Sequence, residues 1–141
     1  MNKFKRLAFL AGFALAGVGA QAQVAVIVNS KNAAASMTAD QVASIFLGKS
    51  STLPNGATAA AVDQAESAAV REHFYSKVTG KQAAQVKAAW SRIVFSGKGT
   101  PPKEMANSAE VKKFVAANPD AIGYIEKSAV DGSVKVVLTV D

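Results

Sequence analysis

The chain has 141 residues, a formal net charge of +6, one histidine and no cysteine. Without cysteine it has no thiol nucleophile and no thiolate ligand for a metal, and a single histidine rules out a multi-histidine metal site within one chain. The sequence also shows no nucleophile–base pair and no cofactor-binding loop, so we expect neither an enzyme nor a bound cofactor.

The N-terminal segment has the three parts of a secretory signal peptide. The basic start MNKFKR precedes the apolar run LAFLAGFALAGVGA, and Ala20-Gln21-Ala22 supplies small residues at both specificity positions of a signal peptidase site. The apolar run is shorter than the roughly 20 residues of a membrane-spanning helix. We therefore expect residues 1–22 to be removed, which predicts a periplasmic or secreted protein. With no cysteine at the junction, we expect no membrane anchor after cleavage.

Cleavage would leave a single domain, residues 23–141. Because Lys3, Lys5 and Arg6 are lost with the signal, the formal charge would fall from +6 to +3. A domain of this length buries roughly two thirds of its unfolded surface. Its mild positive charge does not indicate nucleic-acid binding, which requires a concentrated basic face.

The first half of this domain is predicted as strand, helix and strand. A β-branched run indicates a buried strand over residues 23–28. Thr38 and Gln41 have the spacing of a capping box, which predicts a helix that ends at Gly48. After a loop with a turn, the apolar run of residues 59–62 predicts a second short strand.

The second half is predicted to be mostly helical, with two closing strands. Phe74 and Trp90 recur at helical spacing with other apolar residues, so we expect them to be buried. An aromatic wall for a ligand, formed by Trp90, Phe95 and Tyr124, is the alternative to core packing. The alternation of strands and helices predicts an α/β layered domain. The predicted helices span residues 67–78, 82–95 and 108–118, and the strands span 121–125 and 134–138.

Two glycine–lysine segments resemble phosphate-binding motifs but lack their context. Gly48-Lys49-Ser50 follows a helix, whereas a P-loop follows a strand, and Ala43 stands where the P-loop requires its first glycine. Gly97-Lys98-Gly99 lacks the third glycine of a dinucleotide fingerprint. We interpret the first segment as the end of a helix and the second as a loop.

The polar stretch between the second strand and the next helix is the candidate ligand site. The first N–H groups of a helix attract anions, because they have no partner within the helix. Arg71 lies one turn after Ser67, where it could supply a positive charge or, as is more common, be solvated or paired with a carboxylate. Asp63 and Glu66 also have the spacing of a capping box, so a ligand cradle and a helix cap stay open as alternatives.

Several segments of the chain together resemble a known family. MTADQVASIFLGK, then AAAVDQ leading into SAAVREHFYSKV, then NPDAIGYIEKSAV occur in the order in which the substrate-binding proteins of phosphate ABC transporters carry similar segments. The resemblance covers most of residues 24–131. It implies one lobe of a type II periplasmic binding protein-like fold, with a central mixed sheet flanked by helices.

The resemblance also indicates which residues would bind a ligand, and where the chain departs from the family pattern. The family carries Arg-x-Asp-x-Ser-Gly-Thr at the candidate site, whereas here Gln64 stands at the arginine and Glu66 at the aspartate. An arginine would give a bidentate, charge-assisted contact that Gln64 cannot replace. The ligand-binding residues predicted for this chain are Asp63, Gln64, Ser67, Ala68 and Arg71.

The function implied is that of an exported, non-enzymatic solute-binding-like protein. Its ligand would be phosphate or another small oxyanion, bound weakly because a lone lobe cannot bury a ligand between two lobes. Another envelope protein or a second copy in a homodimer would be needed to cover the open face. The alternative is a ligand-free protein-interaction module of the cell envelope derived from the same lobe.

Overall fold

The computed structural model describes residues 23–141, so the predicted signal peptide, residues 1–22, lies outside the described residues. A π-helical turn, Tyr75–Thr79, continues the helix Ala69–Phe74, and a 3-10 turn, Lys127–Ala129, follows the strand Ala121–Glu126. Within residues 23–141 we find no helix with the length and apolar character needed to span a membrane. The elements in chain order are β1 (Val24–Asn29), α1 (Ala39–Phe46), β2 (Ala60–Gln64), α2 (Ala69–Phe74), α3 (Ala83–Phe95), β3 (Lys103–Met105), α4 (Ser108–Ala117), β4 (Ala121–Glu126) and β5 (Val134–Val140).

The five strands form one mixed sheet in the order β3-β2-β4-β1-β5. Strand β2 is parallel to both of its neighbours, β3 and β4. Strand β1 is antiparallel to both β4 and β5. The predicted fold class, a central mixed sheet flanked by helices, is confirmed.

Helices cover both faces of the sheet, which explains the continuous apolar run of β1. Val24, Val26 and Val28 belong to the larger core cluster with the residues of α1, α2 and α3. Ala25 and Ile27 belong to the second cluster, formed with α4. A strand that is buried on both faces has no polar side to alternate with, so all six residues of β1 are buried.

The aromatic centre of the larger cluster confirms the prediction for Phe74. Its ring is fully buried and stacks on Tyr124 with ring centroids 4.0 Å apart. Phe46 meets Phe74 edge-on at a centroid distance of 4.9 Å. These contacts fix α1 and α2 against β4.

The observed elements differ from the predicted ones mainly at β2, α2 and β3, while the capping box of α1 is confirmed by reciprocal bonds between Thr38 and Gln41. Strand β2 continues to Gln64, two residues beyond the predicted end. Helix α2 begins at Ala69 rather than at residue 67. The sequence also predicted no strand at β3, since two of its three residues are charged and the strand follows two prolines. The unpredicted strand explains the longer β2, because β3 pairs with its last three residues.

Candidate functional site

The predicted site begins inside the sheet rather than in a loop. Asp63 and Gln64 are the last residues of β2, and they are 4% and 1% exposed. In the parallel ladder they pair with Glu104 and Met105 of β3. The expectation that the chain turns polar and leaves the sheet at Asp63 is therefore wrong.

The Asp63 carboxylate accepts hydrogen bonds from two buried tyrosines. Tyr75 donates to one carboxylate oxygen at 2.5 Å, and Tyr124 donates to the other. The backbone N–H of Gln64 donates to the second oxygen at 2.8 Å. Burial, followed by the negative charge of Asp63, raises the pKa of both tyrosines far above the ordinary value. Both hydroxyls therefore stay protonated and serve as donors.

Arg71 of α2 is bound by groups of the chain itself. Its side chain is buried, and Nη1 donates to the carbonyl oxygen of Gln64 at 2.8 Å and to Glu104 Oε2 at 3.2 Å. Nε lies 3.9 Å from Asp63 Oδ1, and the guanidinium carbon lies 5.8 Å from the centre of the Tyr75 ring. Of the alternatives that the sequence left open for Arg71, the structure shows pairing with carboxylates, in the interior rather than on the surface.

The Gln64 side chain ties together the ends of three elements. Its Nε2 donates to the carbonyl oxygen of Tyr124 at 2.9 Å and to Ser108 Oγ at 3.0 Å. Ser108 in turn donates to Glu126 Oε1 at 2.9 Å. Gln64, which stands at the position of the family arginine, therefore links β2 to β4 and to the start of α4. The N–H groups of its side chain donate to atoms of the chain itself.

The remaining two predicted residues lie in the turn between β2 and α2. The N–H of Ala68 donates to the carbonyl oxygen of Ala65 at 2.9 Å, which closes the turn. Ala68 precedes the first residue of α2 and provides no side-chain cap. Ser67 is exposed, and its hydroxyl has no hydrogen-bond partner among the described residues. The turn is therefore the part of the predicted site that is open to solvent.

The helix-cap interpretation of Asp63 and Glu66 is wrong. Asp63 lies within β2, and its oxygens accept hydrogen bonds from the two tyrosines and Gln64, while the N-cap position of α2 is occupied by Ala68, which makes no side-chain cap bond. Glu66 forms an ion pair with Lys87 of α3. The hydrogen bond and the charge of Lys87 lower the pKa of Glu66.

The charge around the turn is negative overall. Four carboxylates stand against two cations, which gives a formal sum of −2. A dianion at the turn would meet a negative surrounding, so its binding would depend on backbone N–H groups and Ser67. Within residues 23–141 no cluster of acidic, histidine or cysteine side chains is suited to hold a metal ion. The carboxylates are Asp63, Glu66, Glu104 and Glu126, and the cations are Arg71 and Lys87.

A groove of about 450 Å³ lies beside this network. Arg71 and Tyr75 line its inner part, and Trp90, Val94 and Phe95 of α3 line its outer part. Val94 is 49% exposed and Phe95 is 95% exposed. The groove thus combines a buried ionic floor with an apolar rim that faces solvent.

The prediction of core packing for Trp90, Phe95 and Tyr124 was only partly correct. Tyr124 lies in the core as expected, but Trp90 is only half-buried, and its indole N–H donates to the carbonyl oxygen of Phe46 at 2.8 Å. Core packing is wrong for Phe95, the last residue of α3, whose side chain is exposed to solvent. Trp90 therefore closes the core at its edge and is also a wall of the groove.

Sequence reasoning missed the residues that complete the network, namely Tyr75, Tyr124, Ser108 and Glu104. The only signal for them was Asp63 itself, a carboxylate that directly follows the apolar residues of a strand. A buried carboxylate requires donors, and tyrosine hydroxyls are donors that a core can hold. The sequence did not show which tyrosines the fold would place there.

No family model matches the chain, and the comparison with curated proteins found no match. Among solved structures, it is similar to a phosphate ABC transporter substrate-binding protein with bound phosphate from Clostridium perfringens, at 25% identity and a TM-score of 0.68 over 82% of this chain and 44% of that one. It is also similar to an ABC-type phosphate transport receptor from Vibrio cholerae, at 20% identity and a TM-score of 0.66 over 82% of this chain and 46% of that one.

The similarity thus extends over less than half of each of these proteins. A third match, to PstS from Borrelia burgdorferi, has 12% identity and a TM-score of 0.63 and supports the fold alone. The chain resembles the substrate-binding proteins of phosphate ABC transporters and has the fold of a single lobe of a type II periplasmic binding protein.

Proposed function

We propose that this chain is an exported, non-enzymatic solute-binding protein that binds phosphate or another small oxyanion weakly. The observation that carries the proposal is the similarity, over 82% of the chain, to a substrate-binding protein solved with bound phosphate. The candidate turn follows the carboxyl end of β2, and open α/β sheets commonly bind ligands at that edge. The proposed location is periplasmic or secreted.

Of the five predicted ligand-binding residues, two would contact the anion directly and three would hold the turn in place. Ser67 and the backbone at Ala68 are exposed enough to meet an anion, and the start of α2 has no side-chain cap competing for its N–H groups. Asp63, Gln64 and Arg71 act indirectly, because their side chains are used by internal bonds that fix the turn. With no free cation at the turn, we expect an affinity in the millimolar range.

A calorimetric titration of the purified protein with phosphate tests this proposal. Glu66→Gln should strengthen binding, because it removes a negative charge and frees Lys87 from its ion pair. Ser67→Ala should weaken binding by about fivefold, the effect of one neutral hydrogen bond of about 1 kcal/mol. Asp120→Asn, which removes an exposed carboxylate between α4 and β4, is the control and should leave the affinity unchanged.

Arg71→Ala is not a clean test of contact, because loss of its buried bonds disturbs the fold itself. Absence of any heat of binding at millimolar phosphate, or an equal change in Glu66→Gln and Asp120→Asn, would contradict the oxyanion proposal.

The second candidate is a protein-interaction module of the cell envelope, with another envelope protein or a second copy as partner. The exposed Phe95 and Val94 at the rim of the groove favour it, since large apolar side chains facing solvent next to a concave surface are typical of docking sites. The pairing of Arg71 with Glu104 and Asp63 also favours it, because these carboxylates offset the positive charge that an anionic solute would meet. If the titration shows no phosphate binding, the protein-interaction module becomes the favoured function.

A further inference from the structure

A second cavity, of about 510 Å³, also borders Trp90. It is formed by the loop after α1, the first part of β2, helix α3 and the loop between α3 and β3. It includes neither the turn of residues 65–68 nor Arg71, so it is separate from the oxyanion site proposed above. Its volume is within the range typical of small-molecule sites, roughly 300–1,000 Å³.

The two glycine–lysine segments that fit no nucleotide motif meet at this cavity. All of Gly48-Lys49-Ser50 lines the cavity, and so do Lys98 and Gly99 of the second segment, together with the following Thr100. Both glycines pack on the same ring: a Cβ added to Gly48 would lie 3.0 Å from Trp90 Cη2, and one added to Gly99 would lie 3.5 Å from Trp90 Cζ3. Trp90 therefore brings together two loops that are about fifty positions apart in the sequence.

The charge of this cavity is opposite to that of the candidate turn. Lys49, Lys98 and Lys103 line it, and no aspartate or glutamate does. In the part of the chain that the structure describes, none of these lysines has an ion-pair partner. Lys103 lies over the ring of Phe114, 5.6 Å from its centre. Three uncompensated cations around one cavity attract a ligand with more than one negative charge.

The rest of the lining indicates what else the ligand carries. Ser50, Ser51 and Thr100 provide hydroxyl groups near the lysines, while Trp90 and Ile93 provide an apolar wall. We propose that this cavity binds a phosphorylated small molecule that carries two or more negative charges next to a flat apolar group. Lys49 and Lys98 bind the phosphates, and the Trp90 wall contacts the flat group.

Fluorescence titration of the full-length protein at low ionic strength tests the inference, because Trp90 is the single tryptophan of the chain. Adenosine diphosphate is the probe, and pyrophosphate is the same anion without the flat group. We expect adenosine diphosphate to bind more tightly than pyrophosphate. Lys49→Gln and Lys98→Gln should each weaken it by about tenfold or more, the effect of losing a charge-assisted hydrogen bond.

Lys31→Gln is the matched control, since it removes the same charge from an exposed position outside the cavity, and it should change the affinity less than twofold. Three results would overturn the inference: no binding of either probe, equal weakening by Lys31→Gln, or weakening by Lys87→Gln alone, which would place the probe in the groove. Thermal melting confirms that each variant is folded. Phosphate binding at the turn is tested with Glu66 and Ser67 variants, so the two proposals can fail separately.

Discussion

At the scale of single residues, the buried Asp63 carboxylate depends on tyrosine hydroxyls. The chain has two tyrosines, Tyr75 and Tyr124, and both donate to Asp63. Replacing either with phenylalanine leaves the ring packing intact but removes one donor from a buried acceptor. Such a loss costs about 1–3 kcal/mol of stability. Stability of the core and the pH dependence of folding are therefore linked at this carboxylate.

The pH dependence follows from the raised pKa of both tyrosines. Their pKa in the unfolded chain is about 10, so the stability from the two neutral hydroxyls is fully present below pH 10. It is lost as the pH rises above 10 toward the folded pKa, because the unfolded chain then releases protons that the folded chain retains. The free energy of unfolding should fall by about 1.4 kcal/mol per pH unit for each tyrosine.

Urea unfolding between pH 9 and about pH 11, above the ordinary tyrosine pKa, measures this slope. The double variant Tyr75→Phe, Tyr124→Phe should lack the tyrosine part of it and serves as the control. Ultraviolet absorbance gives an independent measurement, since the folded protein should show no phenolate where the unfolded protein already does. A phenolate signal from the folded protein with a midpoint near pH 10 would contradict the network.

For the candidate site, the sequence indicated the polar residues but not the bonds that they form. Polarity singled out Asp63, Gln64 and Arg71, and the structure brings them together in one internal network. Their bonding was not predictable, because it depends on Tyr124 and Glu104, which reach them only through the pairing of β2 with β4 and β3. Ser67 is the most exposed of the predicted ligand-binding residues. Its position in a polar turn could be predicted from the neighbouring residues alone, because it has no partner from a distant strand among the described residues.

At the scale of elements, the packing of the α1 loop on α3 depends on a glycine. Gly48 has φ +80°, and a Cβ there would also lie 2.9 Å from Ile93 Cδ1. Gly56 is a matched control, with φ +88° and no atom within 4 Å of an added Cβ. Gly56→Ala should cost about 1–2 kcal/mol for the left-handed backbone alone.

Gly48→Ala should cost more than Gly56→Ala, because it adds a clash with α3 to the same backbone strain. Chemical denaturation of the two variants measures the difference, which isolates the contact between the loop and the helix. Equal losses of unfolding free energy in the two variants would mean that the side chains of α3 move aside for the added methyl group. The wall that α3 contributes to the second cavity would then not be rigid.

The elements were predictable where local pattern and tertiary contact agree. Helix α1 has its capping box and a regular apolar face, and β1 has a continuous apolar run, so both were located within one or two residues. Strand β3 has neither signal, and it exists because the edge of β2 is free to pair with it. The partial exposure of Trp90 could not be predicted either. Helical spacing shows that Trp90 lies on the inner face of α3, but it does not show how far along the helix that face is covered by other elements.

At the scale of the whole molecule, the prediction concerns export. If residues 1–22 are a signal peptide, mass spectrometry of the protein from its native envelope fraction should show an N-terminus at or close to Gln23. The cleavage site is the Ala20-Gln21-Ala22 segment. Intact Met1 in a cytoplasmic fraction would remove both the proposed location and the solute-binding proposal that depends on it.

The position of β1 in the sheet has a consequence for the order of events during synthesis. Val24 of this strand pairs with Glu126 on one side and with Val140 on the other. Contacts between residues so far apart in the sequence form slowly, because the chain loses loop entropy before it gains them. Among the five described strands, β1 is thus synthesised before the others, and its two neighbours, β4 and β5, are synthesised last. A nascent chain lacking β5 would present β1 with a free edge, a template for pairing with another chain.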